Sequence, residues 1–439
     1  MRFADALARL EARQPEHMPG PSLDRIRELV NYLDHPELTY PTIHVTGTNG
    51  KTTAARVAAS VACADGLTTG IFTSPHLLSV TERFELCGAP ISEKEFAAEW
   101  EHLEPYLELV DGLGSGPLTY FEAATGLAFL WFADKPVALG VFEVGMGGSW
   151  DATNLIASDV AIITPVGLDH VAELGPTIRD IAAEKAGILK AGKVGVIREQ
   201  EPEVALVIAA RADEVGARLL HEDADWAIEE QLIAVGGQSF TLRGVRATYE
   251  DLFLPMFGEY AVANAAAGVV AVEALTEHAL EEDALRAGLA SVRSPGRLEV
   301  VGRAPLVLLD GAHNPDGAAA LAGSLRRFFT WERLHLVLAV SANKDVDGVV
   351  EPLAVTADVV YAARNESVRS AEPERVAAAS RAAGVTDVEV YPSVGAALAA
   401  ARDAAGRADA ILVTGSFFTV ADAKRALASA SPLGPEDQG

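Results

Sequence analysis

The run His44-Val45-Thr46-Gly47-Thr48-Asn49-Gly50-Lys51-Thr52-Thr53 has the residue types and order of a phosphate cradle. A β-branched stretch, Thr42-Ile43-His44-Val45, leads into a Gly-containing turn, and Lys51 and Thr52 open an Ala-rich helical segment. In a strand–loop–helix of this kind, backbone N–H groups of the loop and of the helix N-terminus face phosphate oxygens. The lysine reaches the β and γ oxygens and a hydroxyl approaches Mg²⁺. Val45 stands where the strict eight-residue Walker pattern has its first glycine, so what remains is the shorter G-T-N-G-K-T form. An ordinary strand-to-helix turn is the competing reading.

Further reactive groups follow the ends of apolar runs. Ser74, in Thr73-Ser74-Pro75-His76, can offer a hydroxyl to Mg²⁺ or simply form a turn ahead of proline. Glu143 ends the apolar stretch Val141-Phe142-Glu143-Val144 and is followed by the glycine-rich Gly145-Met146-Gly147-Gly148. A carboxylate there is costly without a cation or hydrogen bonds, which suits a Walker-B-like acid for Mg²⁺, with a structural salt bridge as the alternative. His170 follows Leu168-Asp169 beyond another strand, and imidazole is a poor Mg²⁺ ligand on general grounds. Lys185 lies in the apolar surroundings of Ile181-Ala182-Ala183-Glu184-Lys185-Ala186-Gly187-Ile188. It either extends its head to solvent or pairs with Glu184, or it has a depressed pKa and is neutral often enough to react with CO₂ or act as a base. Sequence physics leaves both open.

Toward the C-terminus, Asp310-Gly311-Ala312-His313-Asn314-Pro315-Asp316-Gly317 closes a strand and opens a helix. It reads as a ligand loop or as a turn capped by Asn314 or Asp316. Arg297 follows Pro295-Gly296, where a guanidinium can reach phosphates. Ser416 ends the last strand in the same topological position as Asp310.

These groups need a frame. Residues 1–39 have helical spacing (Leu7, Leu10, Ile26, Leu29-Val30) around a break at Pro19-Gly20-Pro21. Strands are expected at Thr42–Val45, Thr69–Phe72, Val137–Val144, Val160–Thr164 and Val194–Ile197, each apolar on both faces and separated by helices. That is the pattern of a parallel sheet covered on both sides. A short hairpin region spans Gln238 to Leu254, and an Ala-rich helix runs from about Glu259 to Glu273. The alternation restarts after Ser294-Pro295-Gly296 with strands at Val307–Leu309, Leu336–Val340, Val359–Ala362, Val388–Tyr391 and Ala410–Val413. The expected fold is therefore α/β: a P-loop-type, mostly parallel sheet domain (1–294), then a smaller Rossmann-like α/β domain (295–430) and a disordered tail (431–439). Two such domains place a ligand crevice at their junction, with closure about the Pro-Gly hinge.

The chain has 439 residues, too many for one core, with 49% hydrophobic and 22% charged residues, a globular balance. Its most apolar stretch, Ala261 to Leu275, carries Asn264 and Glu273 and reads as a buried helix rather than a membrane span. An early acid, Asp5, and the lack of a long apolar core argue against a signal peptide. Cys63 and Cys87 are too few for a disulfide framework or a metal cage and are expected as free core thiols in a reducing cytoplasm. A net charge of −27, spread along the chain, argues against a nucleic-acid partner. It also suggests adaptation to a salty cytoplasm, with GC-rich coding drift as the alternative.

Taken together, HVTGTNGKTT, TSPHL, TYFE, EVGMGGSWDATN, LDH, EKAGI, SPGRLE, DGAHNPDG and TGSFFT resemble the folylpolyglutamate synthase/dihydrofolate synthase family, within the Mur ligase group of ATP-dependent amide-bond formers. The matches run in family order from residue 44 to 419. The resemblance implies that Thr48, Asn49, Gly50, Lys51 and Thr52 bind the ATP phosphates. Ser74 and Glu143 would hold one Mg²⁺; Glu143, His170 and a carbamylated Lys185 would hold a second. Thr119, Phe121, Asp151 and Ala152 would line a pterin pocket, Asn264, Arg297 and Asp310 would contact the nucleotide, and His313 and Ser416 would receive glutamate. Lys51, Glu143, His170 and Lys185 thus form the implied catalytic set. The implied reaction joins L-glutamate to dihydropteroate or a folate through an acyl phosphate, in a cytoplasmic monomer with small-molecule partners and no membrane. Three departures stand out: Thr52-Thr53 where Gly-Ser is common, Ser149-Trp150 where an Arg-Leu type pair is frequent, and Tyr260 where His is usual. Only 43 residues precede His44, too few for the UDP-sugar domain of a cell-wall ligase. A P-loop kinase or regulatory NTPase is the competing function, as is a degenerate nucleotide-binding module.

Overall fold

The computed structural model describes residues 1–14 and 22–429. The Pro19-Gly20-Pro21 break and the 431–439 tail fall outside the described residues. The chain divides into two compact units, one of Met1–Leu232, Ser239–Pro255 and Val262–Arg293, the other of Ile233–Gln238, Met256–Ala261 and Ser294–Gly439.

The first unit is built on eight strands: β1 (Thr42–Thr46), β2 (Thr69–Phe72), β3 (Phe84–Leu86), β4 (Ala89–Pro90), β5 (Leu139–Glu143), β6 (Val160–Ile163), β7 (Val194–Ile197) and β8 (Arg218–His221). Their spatial order is β4-β3-β2-β5-β1-β6-β7-β8. β2, β5, β1, β6, β7 and β8 run parallel, and β3 and β4 add an antiparallel edge. Every residue of β1, β2, β5 and β6 is buried, because helices cover both faces, and this is why these strands read as unbroken apolar runs. The N-terminal helices Phe3–Glu11 and Asp24–Tyr32 add Leu10, Ile26 and Leu29 to an aromatic cluster with Trp100, Phe129, Trp131, Phe132 and Phe142.

β9 (Ala227–Ala234), β10 (Gly237–Arg243) and β11 (Thr248–Leu254) form a separate sheet in the order β11-β10-β9, one strand more than the expected hairpin. Half of the β9 residues are exposed and only Ala227 is buried, so no buried apolar run marks it. The helix Glu259–Thr276 is buried from Ala261 to Glu273, and among the described residues no helix is long and apolar enough to cross a membrane. Glu273 is tolerated in it because its carboxylate accepts from Val245 N, Arg246 N and the Tyr249 hydroxyl.

The second unit holds β12 (Glu299–Arg303), β13 (Leu306–Leu309), β14 (Leu334–Leu338), β15 (Val359–Ala362), β16 (Val388–Val390) and β17 (Ala410–Thr414), ordered β12-β13-β17-β14-β15-β16. All neighbours are parallel except the antiparallel β12–β13 pair. Leu308, Leu336, Leu338, Val360 and Leu412 form the centre of its core.

The cysteine expectation is corrected. Cys63 and Cys87 are joined in a disulfide, with Cα atoms 5.6 Å apart, and neither is fully buried. Composition excluded a framework of several bridges, but a single pair needs only proximity. The antiparallel β3–β4 edge supplies it by carrying Cys87 to the end of the helix Lys51–Ala64. Replacing both cysteines with serine is expected to lower unfolding free energy by roughly 2–4 kcal/mol in urea titrations, through the freed loop of the unfolded chain.

Candidate active site

Four adjacent strands, β2, β5, β1 and β6, deliver their carboxyl ends to one edge of the first sheet, where open α/β sheets bind ligands. β1 runs into the glycine loop, β2 into Thr73-Ser74, β5 ends at Glu143, and β6 leads to Asp169-His170.

The glycine loop is fixed by its neighbours. Gly47 (φ +146°) lies against Thr164, and Gly50 (φ +94°) lies against the Asn264 carboxamide, so a side chain at either position meets both a backbone penalty and a collision. The Thr46 hydroxyl donates to Gly147 O at 2.7 Å, tying the loop to the glycine-rich segment after β5. Thr48 is absorbed by the fold: its N–H donates to Pro165 O, and its hydroxyl donates to Gly167 O and accepts from Gly167 N. Lys51 and Thr52 open the helix Lys51–Ala64, leaving its first N–H groups directed at the sheet edge. Asn49 lies in the turn just before them.

Glu143 is 1% exposed. Its Oε1 accepts from the Thr52 hydroxyl at 2.8 Å and its Oε2 from Ser74 N at 3.4 Å. Thr52, Ser74 and Glu143 are therefore one cluster, and Thr52 joins the pair expected to bind metal. The donor set is hard oxygen, the chemistry Mg²⁺ prefers.

Two lysines converge on one carbonyl. Lys51 Nζ donates to Gly47 O at 3.0 Å and to Thr48 O at 3.2 Å, and Lys185 Nζ donates to the same Gly47 O at 2.8 Å. Lys185 is 5% exposed. Burial first, and then the Lys51 charge, bring its ammonium down to about 7, against the opposing pull of Asp169, Asp151 and Glu184. Of the two readings open at Lys185, the geometry selects the buried amine with depressed pKa. A cation and a readily neutralised amine therefore meet at one carbonyl of the glycine loop.

The segment Ser149-Trp150-Asp151 is latched to the helix Ile178–Ala186, which carries Lys185: Ser149 N donates to Glu184 O and Trp150 N to Glu184 Oε1. Asp151 is 2% exposed and accepts from Met146 N, Thr153 N and the Thr153 hydroxyl. Burial raises it to about 6, with those hydrogen bonds acting in the other direction. Because the Thr153 hydroxyl donates to Asp151, it accepts from His44 Nε2–H at 2.8 Å, and burial keeps His44 well below its ordinary value. Asp151 thus braces the glycine-rich loop from within. Thr119 caps the helix Tyr120–Asp134 by accepting from Glu122 N, and Phe121 and Ala152 are buried, with Phe121 against Gly145. His170 has a left-handed backbone (φ +51°), and its ring nitrogens lie 3.8 Å from Asp169 and 3.9 Å from Glu173, beyond hydrogen-bond distance.

In the second unit, β13 and β17 are neighbours, so Asp310 and Ser416 leave the same sheet edge. Asp310 is 4% exposed; it accepts from Leu298 N and Ala312 N, and burial raises its carboxyl against the field of Arg297. The Arg297 guanidinium lies 4.3 Å over the Phe417 ring. Burial and the Asp310 charge push the Tyr260 phenol above its usual range. His313 Nδ1–H donates to Gly311 O, and Asn314 caps the helix Pro315–Phe328. Ser416 Oγ is engaged by Asn365 Nδ2 at 3.1 Å and by Thr419.

Sequence reasoning passed over Arg198, which follows β7 and reaches Asn264, and Asn365, which holds Ser416. Neither stands in a glycine-rich motif, and their partners are 66 and 51 residues away.

Residues 45–272 match the Mur ligase middle domain and residues 296–417 the Mur ligase, glutamate ligase domain. A Mycobacterium tuberculosis dihydrofolate synthase/folylpolyglutamate synthase is 41% identical, over 94% of this chain and 92% of its own length. The structure of Mycobacterium tuberculosis folylpolyglutamate synthase complexed with ADP superposes with a TM-score of 0.92 at 40% identity, covering 98% of this chain and 99% of that one. E. coli FolC in complex with DHPP and ADP superposes at 0.87 with 31% identity, over 98% of this chain and 99% of its own. The chain belongs to the dihydrofolate synthase/folylpolyglutamate synthase family of Mur ligases, enzymes that form an amide bond with the energy of ATP.

Proposed function

We propose that the protein joins L-glutamate to dihydropteroate or a tetrahydrofolate, using ATP and passing through an acyl phosphate. The observation that carries this reading is the meeting of Lys51 and Lys185 on Gly47 O, on the sheet edge where Glu143 holds Thr52 and Ser74. Relatives bound to ADP, and to DHPP with ADP, support the substrate classes.

The chemistry follows from a poor electrophile. A carboxylate repels amines and offers only a bad leaving group. Its oxygen attacks the γ-phosphorus, the bond to ADP breaks, and the resulting acyl phosphate carries phosphate as leaving group. The glutamate amine then attacks the acyl carbon, phosphate departs, the nitrogen loses its proton and the amide remains. Lys51 turns from Gly47 O and Thr48 O to the transferring phosphoryl group, supplying positive charge where charge develops. Thr48 and Asn49 hold the loop, while Gly50, Lys51 and Thr52 offer N–H groups to the phosphates.

Glu143, Thr52 and Ser74 fit one Mg²⁺ by donor type, and Glu143, His170 and Lys185 would hold a second. Metal bound there would supply positive charge to offset that of the phosphates. Lys185 suits this role as a carbamate: its neutral nitrogen bonds CO₂ carbon, a proton is released, and a cation becomes an anionic oxygen ligand. A value of about 7 keeps a large neutral fraction at physiological pH. Phe121, Ala152, Thr119 and Asp151 would accept the pterin, Asn264, Arg297 and Asp310 the nucleotide, and His313 and Ser416 the glutamate. On this reading the protein acts in the cytoplasm and as a monomer.

Incubation with ATP, Mg²⁺, dihydropteroate or tetrahydrofolate, and glutamate is expected to yield products heavier by whole glutamyl residues in mass spectra. ATP hydrolysis that proceeds equally without glutamate, with no heavier product, overturns the reading in favour of a P-loop kinase or NTPase.

A further inference from the structure

Arg198 extends β7 past Ile197, its N–H donating to Ile163 O, and so reaches the same carboxyl edge as the glycine loop. It is 9% exposed, an unusual state for a guanidinium. Among the described residues its charge is met on one side: Nε donates to Glu222 Oε2 at 2.7 Å. On the other side Nη1 donates to the Oδ1 of Asn264, which is 2% exposed on the helix Glu259–Thr276 and packs against Gly50.

The chemistry of the pair fixes an orientation. A carboxamide presents an acceptor on one side and two N–H donors on the other, and the two ends are close in size. A guanidinium has donors only, so it can pair with nothing but the oxygen. Arg198 therefore prevents the Asn264 amide from turning over. The carboxamide lies over Gly50 with both its ends, and with Oδ1 taken by Arg198 it is Nδ2 that is left to donate to the acceptor atoms of a nucleotide, a phosphate oxygen or a ring nitrogen. Turned over, the same side chain presents an acceptor to an electron-rich ligand and repels it.

We propose that Arg198 is a positioning residue for the nucleotide, acting through Asn264 by holding its carboxamide in the donor-forward orientation. The inference rests on the assignment of ATP to this loop and adds a determinant outside the phosphate-binding motif. Glu222 balances the guanidinium charge at Nε and also accepts from Glu199 N, so its part is in the stability of the fold and not in the orientation of Asn264.

Calorimetric titration of the full chain with MgATP, together with steady-state kinetics, separates the outcomes. Arg198→Met is expected to weaken ATP binding and raise KM for ATP by roughly tenfold, the size of a lost charge-assisted hydrogen bond, leaving kcat and KM for glutamate within about twofold. Arg198→Lys, still a pure donor, restores most of the affinity. In an Asn264→Ala background, Arg198→Met has no additional effect, because the partner through which it acts is gone. Glu222→Gln reports the purely structural contribution: it lowers the melting temperature without a change in KM for ATP. Equal loss from Arg198→Met in the presence and absence of Asn264, or ATP affinity unchanged in Arg198→Met, overturns the inference. If Arg198→Met does not fold, Arg198→Lys and Glu222→Gln decide: lost ATP affinity in Glu222→Gln with an intact melting curve refutes it. Wild-type protein that binds no ATP refutes the nucleotide assignment itself, a distinct result.

Discussion

Lys185→Met is expected to abolish glutamyl transfer while leaving the fold as stable as the wild type or more so at neutral pH. The side chain is 5% exposed and its ammonium donates to a neutral oxygen, Gly47 O, which it shares with Lys51. Methionine fills similar space without a charge to desolvate, and Lys51 continues to donate to the carbonyl. The pH dependence has a definite sign. In the folded chain the amine titrates near 7, whereas an unfolded lysine titrates near ~10.4. Between those values the unfolded state binds one more proton, so stability rises with pH across that window. Below it both states are protonated and the cost of the buried charge is fully present. Urea unfolding at pH 6.5 and pH 9 is expected to show a gain for wild type and a smaller one for Lys185→Met. Turnover of the variant is expected to fall by on the order of 10³ or more, as when a preorganised charge is removed from a phosphoryl-transfer site. A variant that keeps a tenth of the activity removes Lys185 from the reaction, and one that is inactive but unfolded says nothing about chemistry, which is why the two measurements belong together.

The parts legible in the sequence share a physical reason. β1, β2, β5 and β6 are covered on both faces, and burial demands unbroken Val, Ile, Leu and Phe, so their ends, and Glu143 at one of them, could be placed from the chain alone. The glycine loop was legible because positive φ and close approach at Gly50 require residues that little else requires. β9 escaped because its surface is largely wet, and β3 and β4 because they are three and two residues long. Lys185 shows the limit best: its neighbours in sequence are compatible with a solvated or a buried amine, and only the meeting of the helix Ile178–Ala186 with Gly47 decides. Arg198 and Asn365 belong to the same class, polar residues whose work is done on partners far along the chain. The disulfide fails for a related reason, since composition says how many thiols exist and not whether an edge hairpin brings two of them within reach.

Glu143→Gln tests the cluster at its centre. The carboxylate is 1% exposed, and both oxygens accept, one from the Thr52 hydroxyl at 2.8 Å and one from Ser74 N at 3.4 Å. Glutamine keeps one acceptor and turns the other into a donor facing Ser74 N or the Thr52 hydroxyl. The hydroxyl can rotate to accept, but a backbone N–H cannot, so the amide is expected to keep its oxygen toward Ser74 and to reverse the Thr52 hydrogen bond. The cost to stability is then small, about 1 kcal/mol, because no buried donor is left alone. The charge, however, is gone. On the proposed metal assignment, a Mg²⁺ ion would lose its strongest ligand, and neither the Thr52 nor the Ser74 hydroxyl can replace a full negative charge. Turnover is expected to fall by roughly 10²–10³ at fixed Mg²⁺, with part of the loss recovered by raising the ion concentration. Glu143→Asp retains the charge one methylene short, and its Mg²⁺ requirement should lie between the two. The ordering Glu, Asp, Gln in apparent Mg²⁺ affinity distinguishes a ligand from a brace, because a residue that merely holds the β2 and β5 loops together through Thr52 and Ser74 is disturbed at least as much by shortening as by amidation. If Asp is the worse substitution and neither variant changes the Mg²⁺ dependence, Glu143 is a structural acceptor and the metal belongs elsewhere.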